Sequence, residues 1–111
     1  MSQNNSLYEL TVRVRGEADS ELPPGTNHAF VNCYSSAPDY ESALRQCVLE
    51  MAGKGYIFED LVHKIREVDP AQWDKYIKKS WPEFIDDLPS QDEVLKIVKE
   101  GGLFFGPFMA F

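Results

Sequence analysis

The side chains best suited to chemistry are few: His28 and His63, Cys33 and Cys47, and a scatter of carboxylates. The two histidines stand 35 residues apart, each in a segment that reads as a strand, so neither belongs to a local metal pattern such as two histidines on one helix face. Strand pairing would have to bring them together. A pocket between sheet and helices would then be lined by His28, Cys33, Tyr34 and His63. A Cys–His nucleophile pair needs hydrogen-bond reach and a third, orienting group, and nothing local supplies that geometry. No catalytic residue, metal ligand or cofactor is therefore assigned.

Cys33 and Cys47 are 14 residues apart, which matches no zinc signature. Each sits within an apolar pattern, where a free cysteine behaves as a small hydrophobe. Glu59-Asp60 and Asp86-Asp87 are adjacent acidic pairs without the spaced oxygen ligands of a calcium loop. Asp39 and Asp69 sit where helices begin and read as N-caps. Gly53-Lys54-Gly55 and Gly101-Gly102 follow helices instead of opening them, so neither faces a positive helix end and nucleotide binding is not expected.

Charge narrows the partners. The 18 acidic and 11 basic residues give a net charge of −7. Nucleic-acid binding relies on basic surface, and so does docking on anionic membranes, so neither is expected. A basic protein partner fits this balance through electrostatic steering. No apolar run approaches the roughly 18 residues of a membrane span. The opening Met-Ser-Gln-Asn-Asn-Ser lacks the charged and apolar regions of a signal peptide. The expectation is a cytoplasmic protein with a disordered polar tail over 1–6 and one domain over 7–111.

The elements that must position these residues follow from periodicity. Tyr8, Leu10, Val12 and Val14 alternate with Glu9, Thr11, Arg13 and Arg15, a half-buried strand. Residues 16–26 form a long acidic loop, with prolines and a glycine excluding regular structure. His28 to Ser35 is a second strand, apolar on both parities, as a strand covered on both faces would be. Asp39 caps a helix whose apolar stripe runs through Tyr40, Ala43, Leu44, Cys47, Val48 and Met51. Residues 56–68 fit helix or strand; β-branched and aromatic content favours a strand with a bulge. Asp69-Pro70 starts a second helix, with Trp73, Tyr76, Ile77 and Trp81 on one face until Pro82 ends it. Ser90-Gln91-Asp92-Glu93 is a capping box for a third helix, stopped by Gly101-Gly102. Leu103 to Phe105 then reads as a strand, broken by Gly106-Pro107 before a second extended piece, 108–111. The order β-β-α-β-α-α-β is an α+β pattern. It predicts a mostly antiparallel sheet of about four strands with helices on one face, ferredoxin-like or a variant.

Four of the seven phenylalanines fall within residues 101–111. Alternation cannot hide Phe104, Phe108, Met109 and Phe111 together under helices on one face, so some must be exposed or covered by another chain. The leading expectation is a non-enzymatic protein-binding domain, for instance an immunity-type or antitoxin-like inhibitor of a basic toxic protein. Its contacts would be Glu17, Asp19, Glu21, Asp86 and Asp87, with Trp81 as an aromatic anchor. Phe104, Phe108 and Phe111 would support a homodimer or partner complex through the C-terminal strand. The alternatives are the His28/Cys33/Tyr34/His63 pocket, serving a ligand or an enzyme, and a structural subunit of a larger assembly.

Overall fold

The computed structural model describes residues 5–17 and 25–110; Asp19, Glu21 and Phe111 lie outside them. Strands β1 (Ser6–Gly16) and β2 (His28–Ala37) form the antiparallel centre of the sheet, pairing from Ser6 opposite Ala37 to Arg15 opposite His28. Helix α1 (Tyr40–Gly53) follows, then β3 (Tyr56–Leu61) and β4 (Arg66–Val68). A 3-10 turn (Pro70–Gln72) leads into α2 (Trp73–Ser80). A second 3-10 segment (Pro82–Asp87) precedes α3 (Gln91–Glu100) and β5 (Leu103–Ala110).

The five-stranded sheet runs β3-β1-β2-β5, with β4 also on the β1 edge, and every pairing is antiparallel. Because β2 and β3 both oppose β1, they run parallel to one another, as a crossover through α1 requires. This split β–α–β unit around β1 is an element of ferredoxin-like sheets. Here it is preceded by β1 itself and followed by two helices in tandem. What stands is a mixed α+β fold built on an antiparallel sheet.

Two segments differ from the sequence expectation. Residues 56–68 are two short strands, and the register shifts between Arg13 and Val14 of β1 where β3 meets it. The single strand expected there is divided: the Val62 amide still donates to Thr11 O at 2.8 Å, residues 63–65 then leave β1, and Arg66 rejoins it opposite Glu9. Conversely, Gly106-Pro107 does not break β5. The irregularity, between Val31 and Cys33 of β2, is absorbed as a bulge, and pairing resumes with Phe108 opposite Val31.

Alternation sorts the core into two layers. Leu10, Val12, Val14, Ala29, Val31, Cys33 and Ala37 face α1, which buries Ala43, Cys47 and Met51 against them. Residues of the opposite parity, Leu7 and Tyr34, pack with Val68, Trp73, Ile77, Val94 and Val98 from β4, α2 and α3. One-face packing thus describes α1. The reverse face carries α2 and α3 at its Leu7–Tyr34 end, which is why β2 is apolar on both parities.

Local signals set the helix ends. Asp39 Oδ1 accepts from the Ser42 amide at 2.7 Å, and these N–H bonds hold its carboxyl below the usual range. Ser90 and Glu93 complete the capping box. Gly101 ends α3 in the left-handed region at φ 71, which costs glycine little. Trp81 leaves helical geometry (φ −136, ψ 52) just before Pro82, whose ring disfavours helix at the preceding residue. Trp81 is therefore not a fourth member of the α2 stripe, and its indole turns onto the sheet.

Candidate functional site

The half of the reverse sheet face that α2 and α3 leave open is a cleft of about 670 Å³. Its floor comes from β1 and β2: Glu9, Thr11, Phe30 and Asn32. One wall is the end of α2 and the segment after it, Ser80, Trp81 and Phe84. The other is the β3–β4 connection with Val62, His63 and Arg66, and Phe108 and Met109 of edge strand β5 complete the rim. The division of residues 56–68 thus has a consequence: the irregular 62–65 connection is what brings His63 to the cleft.

A hydrogen-bonded cluster holds the aromatic wall. Trp81 Nε1 donates to Tyr34 Oη at 2.8 Å. The Tyr34 and Tyr76 phenol oxygens are 2.8 Å apart, and the Tyr34 hydroxyl also reaches Glu9 Oε2 at 3.2 Å. Tyr76 donates to the same Glu9 oxygen. Burial, reinforced by the bond to Tyr76, pushes the Tyr34 phenol well above its ordinary value. Burial and the Glu9 carboxylate push Tyr76 up to about 12. Both phenols stay neutral over the physiological range and act as donors. Tyr34 is also stacked on Phe104 (ring centroids 5.1 Å apart) and edge-on to Trp73 (5.2 Å). The Trp81 indole is consequently fixed from beneath, and Phe84 meets it edge-on at 6.1 Å.

On the cleft floor, Thr11 Oγ1 donates to Asn32 Oδ1 at 2.6 Å. Glu9 and Arg66 are register partners on β1 and β4, and both line the cleft. They also line a smaller concavity of about 400 Å³ on the far side of Glu9, bounded by Lys75, Tyr76 and Lys79 among others.

The residues singled out from sequence are dispersed. His63 lines the cleft, and the Tyr34 hydroxyl supports its wall. Cys33 faces α1, on the other side of the sheet, buried beside Cys47; that contact and burial raise its thiol pKa strongly. His28 Nδ1 lies 2.9 Å from Glu59 Oε1, which Arg13 Nε also approaches at 3.3 Å; the His28 contact, then Arg13, hold the Glu59 carboxyl low. The four-residue pocket is not assembled, because adjacent strand positions 33 and 34 point to opposite faces. Among the described residues, no group of three His, Cys, Asp or Glu side chains is placed to hold a metal ion.

The expected partner contacts fall in three places. Glu17 follows β1, exposed, with its amide donating to Gly55 O at 2.9 Å. Asp86 and Asp87 are exposed on the 3-10 segment beside Trp81 and Phe84. Phe104 packs inward against Tyr34, while Phe108 (43% exposed) and Met109 (68% exposed) are the open apolar members of β5. Sequence reasoning missed Asn32, Glu9 and Phe84 as site residues. The available signal for Asn32 was one amide inside the apolar run Phe30-Val31-Asn32-Cys33-Tyr34. Among the described residues, no helix is long and apolar enough to cross a membrane. Comparison with protein-family models, with curated proteins and with solved structures gave no match in any of the three.

Proposed function

We propose that this chain is a non-enzymatic protein-binding domain that recognises a basic protein with the cleft and the acidic segment beside it, in the manner of an immunity-type or antitoxin-like inhibitor. One observation carries the reading. The 3-10 segment Pro82–Asp87 holds Phe84 against Trp81 at the cleft wall and leaves Glu83, Asp86 and Asp87 exposed next to it. An aromatic anchor flanked by charge is how protein interfaces combine a buried hot spot with steering. The free, buried cysteine pair fits work in a reducing compartment, the cytoplasm.

The test is capture of basic proteins from the source cell by the wild-type chain and by two variants, Phe84→Ala and the Asp86→Lys/Asp87→Lys pair. A basic protein held by the wild type and lost from both supports the reading. Equal capture by all three overturns it.

A second reading, homodimerisation through β5, is favoured by Phe108 and Met109 standing exposed on an edge strand. Sedimentation across a concentration series decides it: a dimer lost on Met109→Lys supports β5 pairing, and a monomer throughout removes it.

A further inference from the structure

Asn32 is only 9% exposed, and it lines the cleft. A buried amide is normally satisfied at both ends, because an unpaired polar group inside a protein costs desolvation energy. Here one end is satisfied. The 2.6 Å contact with Thr11 is an ordinary O–H···O length and short for N–H···O, so the oxygen faces Thr11 and the NH2 group faces away. Among the described residues, Nδ2 has no protein partner, and it is not sealed from the cleft.

The neighbouring strand passes close to Asn32 with no side chain of its own there. Gly106 of β5 crosses at the bulge, where a Cβ would lie 2.9 Å from Tyr34 Cε2 and 3.4 Å from Asn32 Cβ. The absence of a side chain at 106 lets β5 pass close to both Tyr34 and Asn32. The same cleft is lined by the Trp81 indole, pinned by Tyr34, with Phe84 beside it. Glu9 on the floor and Arg66 on the wall bring one charge of each sign to the cleft lining.

From these observations we infer that the cleft is a small-molecule site for a neutral, planar aromatic compound bearing a carbonyl acceptor. The carbonyl takes the Asn32 Nδ2–H, and the ring lies against Trp81 and Phe84. Cleft volume and chemistry agree: sites of about 300–1,000 Å³ with apolar walls and a few placed polar groups are the usual form of ligand pockets. The inference goes beyond protein binding and stands or falls separately from it, since its readout needs no protein partner.

The experiment is an NMR titration of 15N-labelled protein with benzamide, which carries ring and carbonyl, and with toluene, which carries the ring alone. The Asn32 side-chain NH2 and the Trp81 indole N–H are the reporters. Benzamide is expected to shift both saturably, and toluene to shift the Trp81 signal while leaving the Asn32 amide in place. Asn32→Asp retains the acceptor for Thr11 but removes the donor. Its benzamide affinity should fall by about 3- to 10-fold, with toluene unchanged, as the loss of one hydrogen bond implies. An Asn32 amide that does not move in the wild type overturns the inference, whether or not the variant folds. Equal benzamide affinity in wild type and a folded Asn32→Asp overturns it as well.

Discussion

The two faces of one sheet are built on different rules. Under α1, β1 and β2 pair aliphatic with aliphatic: Leu10 opposite Cys33, Val12 opposite Val31, Val14 opposite Ala29. On the reverse face the same strands oppose Glu9 with Tyr34, Thr11 with Asn32 and Arg13 with Phe30. The first layer is sealed by a helix. The second is closed by α2 and α3 at one end and open at the other, where polar groups are held in place by one another. A two-residue period lets one pair of strands serve as sealed core on one side and as an open, polar floor on the other.

Breaking the comparison starts with the anchors of the closed layers. Trp73 is fully buried, and its Nε1 donates to Pro89 O at 2.8 Å. Trp73→Ala is expected to cost about 3–5 kcal/mol in a urea unfolding curve, the largest effect in the molecule. Gly106→Ala comes next: its Cβ would press on Tyr34 and backbone or ring must shift, for a loss of about 1–3 kcal/mol.

The phenol network gives a pH signature specific to the reverse face. Tyr76 titrates at about 12 in the fold against about 10 in the unfolded chain, and Tyr34 is raised in the same direction. A raised folded value means this stabilisation is complete below pH 10 and is lost as pH climbs towards 12. Denaturant midpoints measured at pH 9 and 11 should therefore diverge, and the gap should shrink in Tyr76→Phe.

The sealed face offers the smallest and opposite effect. Ser35 Oγ is buried there with no partner among the described residues. Ser35→Ala is expected to stabilise by about 1 kcal/mol, because it removes a desolvated hydroxyl and leaves a methyl among apolar neighbours. A loss of stability would mean that Ser35 has a partner, and the sealed layer would then be less purely apolar than described.

Much of this was legible from pattern. Alternation in β1, the double-sided content of β2 and the caps at Asp39, Asp69 and Ser90 each report a local rule, and local rules are written in neighbouring residues. The C-terminal phenylalanines were read correctly in one respect: burial is partial, with Phe104 inside and Phe108 and Met109 open. The site was less legible because it is made of distant pairings. Glu9 meets Tyr76 across 67 positions, and Trp81 meets Tyr34 across 47. The turn of Trp81 off its helix depends on Pro82, visible in sequence, but the destination of its indole depends on the sheet. The division of residues 56–68 was hidden for a similar reason: β3 and β4 share one neighbour, and only β1 reveals the break.

The central claim is that recognition belongs to the open half of the reverse face and stability to the sealed one. The most direct measurement is capture of the proposed basic partner by Phe84→Ala, with the variant's melting temperature recorded on the same preparation. Phe84 is 37% exposed, so the account predicts a melting temperature within a few degrees of wild type and capture lost. Capture retained at full strength, or a collapse in melting temperature, would contradict it.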